Sequence, residues 1–480
     1  MSKRDVGVAG LAVMGQNLVL NIERHGYSVA VYNRTRERTD AFIAERAQGK
    51  AIEAAHDPES FVSALASPRV VLMMVKAGQP TDALIDGLLP LLGPGDVLID
   101  GGNAHYADTE RRIGRAAEHG VLYLGTGVSG GESGALNGPS IMPGGSREAY
   151  AIAGPLLEAI AADGPRGTCC AFMGPGSAGH YVKMVHNGIE YAIMQALAEA
   201  YDLMKRGLGM SAGEMAEVFG AWNRGELESY LVEITEAILR CVEPESGQPL
   251  VEVILDTAAQ KGTGKWSSQS ALDVGAPSPS IAAAVFARIV SSLQPERVAA
   301  EGILPGPSAS LDVDRVEALA DLFSATYVMM VGAYAQGMRQ LRDASEERGY
   351  GLDLAEVARV WMAGCIVRAK LLVPIGDAFK DRHDLPYLLL AEPFRTIWTE
   401  HQGGLRRTVA RAHRAGIPVP ALSSTLDAID AYRTARLPAN LLQAQRDYFG
   451  AHTYRRTDRD GTFHTEWETS STGDGEAKGA

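Results

Sequence analysis

The stretch DVGVAGLAVMGQNLVLNI, residues 5–22, decides the fold. Val6 to Ala9 is a short apolar run, the turn Gly10-Leu11-Ala12-Val13-Met14-Gly15 follows, and a helical period then continues to about His25. A G-x-A-x-x-G turn between strand and helix is what a dinucleotide-binding fold requires. Gly10 permits the tight turn, Ala12 lets the backbone approach a pyrophosphate, and Gly15 lets the helix pack on the strand. The same pattern in isolation would be a plain strand-to-helix turn; its flanks favour nucleotide binding, and residues 10–15 are candidate cofactor contacts.

Working outward, the next strand, Ser28 to Tyr32, ends in Asn33-Arg34-Thr35. An acid at this place would repel a 2′-phosphate, whereas the Arg34 guanidinium and the Thr35 hydroxyl can hold one, so NADP is expected over NAD. The bland alternative is that Arg34, Arg36 and Arg38 form a solvated helix start. Strands at Arg69 to Val75 and Val97 to Asp100 stop in Lys76-Ala77-Gly78 and Gly101-Gly102-Asn103. Ligands of open α/β sheets lie beyond the carboxyl ends of the strands, which makes Val75, Lys76, Ala77 and Asn103 contact candidates. A strand from Val121 to Gly125 is expected to lead into a glycine loop, Thr126 to Gly131. These elements predict an α/β Rossmann-type domain over 1–178.

Composition limits what such a chain can do. The 480 residues are 46% apolar, enough for two or three cored domains. A formal charge of −13 argues against nucleic acid or an anionic membrane as main partner. The opening MSKRDVGVAG shows no signal-peptide core, and no run of about 18 apolar residues is evident, so a cytoplasmic location is expected. Cys169, Cys170, Cys241 and Cys365 show no C-x-x-C spacing and read as reduced and structural. Without H-E-x-x-H, an EF-hand loop or a Cys/His cluster, the sequence gives no argument for a metal.

After about Gly176 the period becomes helical. Tyr181 to Arg206, Glu214 to Leu239, Ile281 to Leu293 and Val313 to Ala344 predict a large all-α domain over 179–436. The remainder, 437–480, reads as a C-terminal tail whose aromatic part should pack on its own domain or on another subunit. Its last ten residues, STGDGEAKGA, are expected to be disordered. At the edge between sheet and helices lies VKMVHNGIEY, residues 182–191, where Lys183, His186, Asn187 and Glu190 fall on one side of two helical turns. GTGKW, residues 262–266, fails as a phosphate loop because Ala259 and Trp266 stand where a glycine and a Ser or Thr belong. With Lys261 before it, it reads as a positively charged helix-end turn facing a phosphate.

Together GLAVMGQN, YNRT, DGGN, GVSGGESGA, GHYVKMVHNGIEY, QKGTGKW, AVFARIVSSL and QAQRDYFGAHTY resemble 6-phosphogluconate dehydrogenases over nearly the whole chain. Short β-hydroxyacid dehydrogenases are similar only through the first half. The resemblance implies NADP-linked oxidative decarboxylation of 6-phosphogluconate, as in the pentose phosphate pathway and gluconate utilization, by a homodimer whose tails reach into the partner. It implies Lys183 as general base and Glu190 as general acid. For the substrate it implies His186, Asn187, Asn103 and the loop Ser129, Gly130 and Gly131. Tyr191, Lys261, Thr263 and Arg288 would surround the phosphate, and Arg446 with His452 would come from the neighbouring subunit. Ala12 for glycine belongs to the family's own pattern, and VWMAGCIVRAKLLVPIGDAF, 360–379, is expected to affect packing rather than chemistry. Two other readings stay open at this level: a cofactor sensor without turnover, and an oxidoreductase acting on another hydroxy acid.

Overall fold

The computed structural model describes residues 2–260 and 262–467. The readings placed on Lys261 and on the polar stretch 471–480 therefore lie outside the described residues. The chain divides into two compact units, Met1–Leu426 and Asp427–Ala480.

Strands and helices alternate from the start: β1 (Val6–Ala9), α1 (Val13–Arg24), β2 (Val29–Tyr32), α2 (Arg36–Arg46), β3 (Ile52–Ala55), α3 (Pro58–Ser63), β4 (Val70–Met73), α4 (Gln79–Leu88), β5 (Val97–Asp100) and α5 (Tyr106–Ala117). They are followed by β6 (Leu122–Val128), α6 (Gly131–Asn137), β7 (Ile141–Gly145) and α7 (Arg147–Ile160). The sheet order is β3-β2-β1-β4-β5-β6-β7, parallel throughout except for the β6–β7 pair. A parallel sheet must be covered on both faces, and the period of two in each strand supplies two cores. Val6, Val8, Val29, Val31, Val97 and Ile99 pack with α1 and α7 on one face. Ala30, Val71, Met73 and Leu98 pack with Phe61, Ile85 and Leu88 on the other.

One expectation fails in an informative way. Thr126 to Val128 are not loop: β6 runs through them because β7 offers antiparallel partners, Thr126 facing Pro143, Gly127 facing Met142 and Val128 facing Ile141. Glycine is a poor strand former. Here it makes room for a helix, since a Cβ on Gly127 would come within 2.4 Å of the Lys183 Cβ and one on Gly179 within 2.3 Å of the Gly125 carbonyl oxygen. Helix α8 (Ala178–Asp202) thus rests on bare backbone.

The helical part continues with α9 (Ala212–Asn223), α10 (Tyr230–Arg240), α11 (Leu250–Val253), α12 (Thr263–Asp273), α13 (Pro279–Ser291), α14 (Gln294–Glu301), α15 (Arg315–Arg348), α16 (Leu354–Val360), α17 (Leu372–Asp381), α18 (Phe394–Arg414) and α19 (Pro420–Tyr432). The segment read as one helical stretch, Glu214 to Leu239, is two helices, because Ser229 leaves the helix to cap α10 and its own N–H donates to Asn223 Oδ1 at 3.0 Å. GTGKW opens α12: Gly262 is its N-cap at φ 99°, a left-handed conformation that suits glycine. Helix α15 corrects the reading that no segment is membrane-long. By length and composition it is apolar enough to cross a bilayer, but 67% of that window is buried against neighbours such as α8 and α18.

In the second unit α20 (Ala439–Gly450) and the bridge between Tyr454 and Phe463 gather around the buried Asp447. Its carboxylate accepts from Thr453 N at 2.8 Å, Thr465 N at 3.1 Å and Trp467 Nε1 at 2.9 Å, and meets His464 Nδ1 at 2.9 Å. The aromatic tail is therefore a folded element with a polar centre.

Candidate active site

A cavity of about 450 Å³ opens at the carboxyl ends of β1, β2 and β4, lined by Gly10, Ala12, Asn33, Arg34, Thr35 and Lys76, among others. The glycines are required by distance. A Cβ at Gly15 would stand 1.9 Å from the Gly10 carbonyl oxygen, and one at Gly10, where φ is 103°, 2.4 Å from the Met74 carbonyl oxygen. Asn33 fastens the turn to β2 by accepting from Leu11 N at 3.1 Å. Arg34 and Arg38 line the cavity, while Arg36 turns to Asp40 at 3.6 Å. Of the three, only Arg36 thus follows the solvated-face reading. A bare-backbone turn at the start of α1 with two guanidiniums beside it fits a dinucleotide carrying an extra phosphate. Val75 is also on the wall; Leu11 and Ala77 lie in the turns after β1 and β4, Val13, Met14 and Gly15 open α1, and Asn103 is exposed beyond β5.

The second cluster stands on α8. Lys183 Nζ donates to Asn187 Oδ1 at 2.7 Å and lies 3.2 Å from His186 Nδ1. His186 Nδ1 is 3.0 Å from Asn187 Oδ1, and its Nε2 is 3.2 Å from Ser129 Oγ. A neutral ring has one donor and one acceptor, so these partners assign the proton to Nδ1, with Nε2 accepting from the Ser129 hydroxyl. Glu190 Oε2 stands 3.9 Å from the same Nδ1. Lys183, His186, Asn187 and Ser129 are all buried.

Burial sets the charges. It holds the Lys183 amine below the usual lysine value, although Glu190 and Cys365 favour the ammonium. It pushes His186 well below the usual imidazole value, aided by Lys183, and raises Glu190 against the pull of Lys183 and Arg288. One dry site therefore biases a base towards its neutral form and an acid towards its protonated form.

Farther along, the Arg288 guanidinium lies 3.5 Å from the centroid of the Tyr191 ring, and Arg288 Nη1 donates to the Ala259 carbonyl oxygen at 3.3 Å. The start of α12 abuts the same ring, because a Cβ at Gly264 would come 2.5 Å from Tyr191 Cδ2; Thr263 beside it is buried. Gly130, at φ 109°, caps α6 and Gly131 begins it. Arg446 and His452 lie in the second unit, both exposed, Arg446 donating to Gln443 Oε1 at 3.2 Å and His452 edge-on to Phe449. Two neighbours were not legible. The Trp361 ring packs edge-on against His186, with centroids 5.5 Å apart, and the buried Cys365 is near enough to act electrostatically on Lys183. Both belong to 360–379, which therefore walls the site as well as packing the core.

Residues 5–174 match the family described as the NAD binding domain of 6-phosphogluconate dehydrogenase, and residues 179–467 match its C-terminal domain. The chain is 53% identical to the NADP(+)-dependent, decarboxylating 6-phosphogluconate dehydrogenase of Bacillus subtilis (strain 168) over 97% of its own length and 100% of the relative's. It is 52% identical, at the same two coverages, to the decarboxylating 6-phosphogluconate dehydrogenase of Escherichia coli (strain K12). Its fold superposes on Plasmodium falciparum 6-phosphogluconate dehydrogenase, a protein solved with NADP+ and with 6-phosphogluconate, at a TM-score of 0.93 and 42% identity, covering 96% of this chain and 100% of that one. With its glycine-lined cofactor cavity and with a buried lysine and a half-buried glutamate on α8, the chain belongs to the 6-phosphogluconate dehydrogenase family.

Proposed function

We infer that the protein oxidatively decarboxylates 6-phospho-D-gluconate to D-ribulose 5-phosphate and carbon dioxide, reducing NADP to NADPH. The observation that carries the assignment of roles is the cluster on one face of α8, in which Lys183 bonds to Asn187, Glu190 stands beside His186, and burial biases the amine and the carboxyl in opposite senses. NADP, when bound, accepts the hydride from C3. Neutral Lys183 takes the C3 hydroxyl proton as the carbonyl forms. As ammonium it then stabilises that oxygen while the C1–C2 bond breaks and carbon dioxide leaves, the bonding electrons passing into an enediol. Glu190, whose carboxyl burial raises above its usual value, delivers a proton to the terminal carbon of the enediol. Seven residues of helical rise separate the two along α8, about 10.5 Å, which their side chains span towards adjacent carbons.

His186, Asn187 and Ser129 hold the lysine end and the sugar acid, with Asn103, Gly130 and Gly131 completing that wall. Tyr191, Thr263, Arg288 and Lys261 receive the phosphate. Gly10 to Gly15, Asn33 to Thr35 and Val75 to Ala77, with Asn103, contact the cofactor. The domain division is 1–178, 179–436 and 437–480, and the location is cytoplasmic.

The assembly is a homodimer in which Arg446 and His452 of each tail complete the partner's site. Exposed Phe286, Ile289 and Val290 share one face of α13, and such an apolar helix face supports a covering partner.

The test is the purified protein with 6-phosphogluconate and NADP or NAD, following reduced nicotinamide and carbon dioxide together, beside Lys183→Met. Equal yields with NADP that vanish in the variant establish the reading. Reduced cofactor without carbon dioxide overturns it in favour of a plain hydroxy-acid dehydrogenase.

A further inference from the structure

One turn before Lys183, α8 carries His180, whose ring is 1% exposed. Its Nε2 lies 3.0 Å from the Asp100 carbonyl oxygen and its Nδ1 2.7 Å from Thr109 Oγ1. A carbonyl can only accept, so the proton sits on Nε2 and Nδ1 accepts from the Thr109 hydroxyl. Both ring nitrogens are thereby used in one tautomer. Burial favours that neutral form, with Arg112 acting in the same sense and Asp100 against it. The ring occupies space that Gly125 leaves open, since a Cβ there would come 2.9 Å from Nδ1.

The other end of the tether is equally fixed. Asp100 is the last residue of β5 and directly precedes Gly101-Gly102-Asn103. Its buried carboxylate accepts from Arg112 Nη1 at 3.2 Å, Tyr123 Oη at 3.0 Å and Gly102 N at 3.1 Å. The turn is thus clamped from one side by side chains of β6 and α5, and from the other by α8.

We propose that His180 is a positioning residue for the reaction: its paired bonds to Asp100 and Thr109 set the register of Lys183 against the turn that carries Asn103. This rests on Lys183 acting as the base. Proton and hydride leave the same C3 centre, so the base and the cofactor-side turn must keep one separation, and a displacement of about 1 Å can cost about 10²-fold in rate. His180 touches neither substrate nor cofactor in this role. The groups facing Lys183 itself are His186, Asn187 and Glu190 on α8 and Cys365 from the 360–379 segment.

The test compares His180→Leu, His180→Gln and Thr109→Val in the full chain with NADP and 6-phosphogluconate, reading kcat, KM, the pH profile of kcat/KM and NADP binding by titration. Leucine fills the site without a donor, whereas the glutamine amide can still donate to the Asp100 carbonyl. His180→Leu should lower kcat by about 10²-fold with little change in NADP affinity. It should also move the acid limb of kcat/KM to higher pH, as a loosened Lys183 becomes better solvated. Glutamine should recover about tenfold of the loss. Should the leucine variant fail to fold, Thr109→Val removes one bond alone and should show the same limb shift with a smaller loss. An unmoved limb, or a glutamine variant no better than leucine, overturns the inference. Wild type and Lys183→Met run alongside: if the lysine variant stays active, the base assignment has failed, and otherwise only the role of His180 is in question.

Discussion

The Lys183 amine and the Asn187 side-chain oxygen meet at 2.7 Å, one turn apart on a helix that is buried around both. A neutral acceptor steadies the amine without fixing its charge. Asn187→Asp would place a carboxylate at that distance, and an opposite charge this close raises the pKa of a lysine by about one to three units. Because the base acts as the free amine, the acid limb of kcat/KM should move to higher pH and the rate at pH 7 should fall. A pH–rate profile reads this directly; an unchanged limb would mean that another group titrates.

Cofactor choice should depend on Arg34. It lines the cavity beyond β2, and losing a charge-assisted bond of about 1.5–3 kcal/mol corresponds to about 10- to 10²-fold in affinity. Arg34→Ala should therefore raise KM for NADP by that factor while leaving KM for NAD nearly unchanged. A parallel rise in both would assign Arg34 to the shape of the pocket.

The two halves of the site were unequally legible in the sequence. The fingerprint at 10–15 could be read because local steric demands, such as Gly15 against the Gly10 carbonyl, are written into neighbouring residues. The one-sided placement of Lys183, His186, Asn187 and Glu190 followed from helical period alone. What stayed hidden is tertiary: Trp361 packs on His186 and Cys365 comes into the electrostatic neighbourhood of Lys183 from nearly 180 residues downstream, and no local pattern announces that proximity. One glycine of β6 misled for a related reason. Gly127, with the glycines that follow it, suggests a loop until the helix it accommodates is known.

That accommodation is testable. In Gly127→Ala the new methyl would meet the Lys183 Cβ at 2.4 Å, and neither backbone can yield cheaply. Overpacking of this kind costs about 1–3 kcal/mol, and α8 should shift to relieve it. The expected result is a folded protein with a lower melting temperature and kcat reduced by about 10²-fold. Near-normal turnover would show that the helix can move without disturbing the lysine.

Glu199, nine residues beyond Glu190 on α8, caps α19 by accepting from Ala421 N at 2.8 Å and Leu422 N at 3.0 Å. Burial raises its carboxyl from 4.5 to about 7, against these bonds and that of Gln195. With the folded value above the unfolded one, the folded state binds the extra proton between those pH values. Its contribution to stability is complete below about pH 4.5 and fades as pH rises through 7. The advantage of wild type over Glu199→Gln should accordingly shrink by about 2–3 kcal/mol between pH 5 and pH 8. Denaturant midpoints at the two pH values measure it, and a constant difference would refute the shifted titration.

The stack of Arg288 on Tyr191 bears on binding entropy. An arginine loses close to 2 kcal/mol of rotamer freedom when it is immobilised. Here the ring and the Ala259 carbonyl already restrain the side chain in the free protein, so that loss falls on folding. An anion entering this corner meets a guanidinium whose ordering is largely complete, and most of the attraction appears as affinity. Lysine in its place would keep the charge and forfeit the stack, leaving a flexible cation to be ordered anew at each encounter.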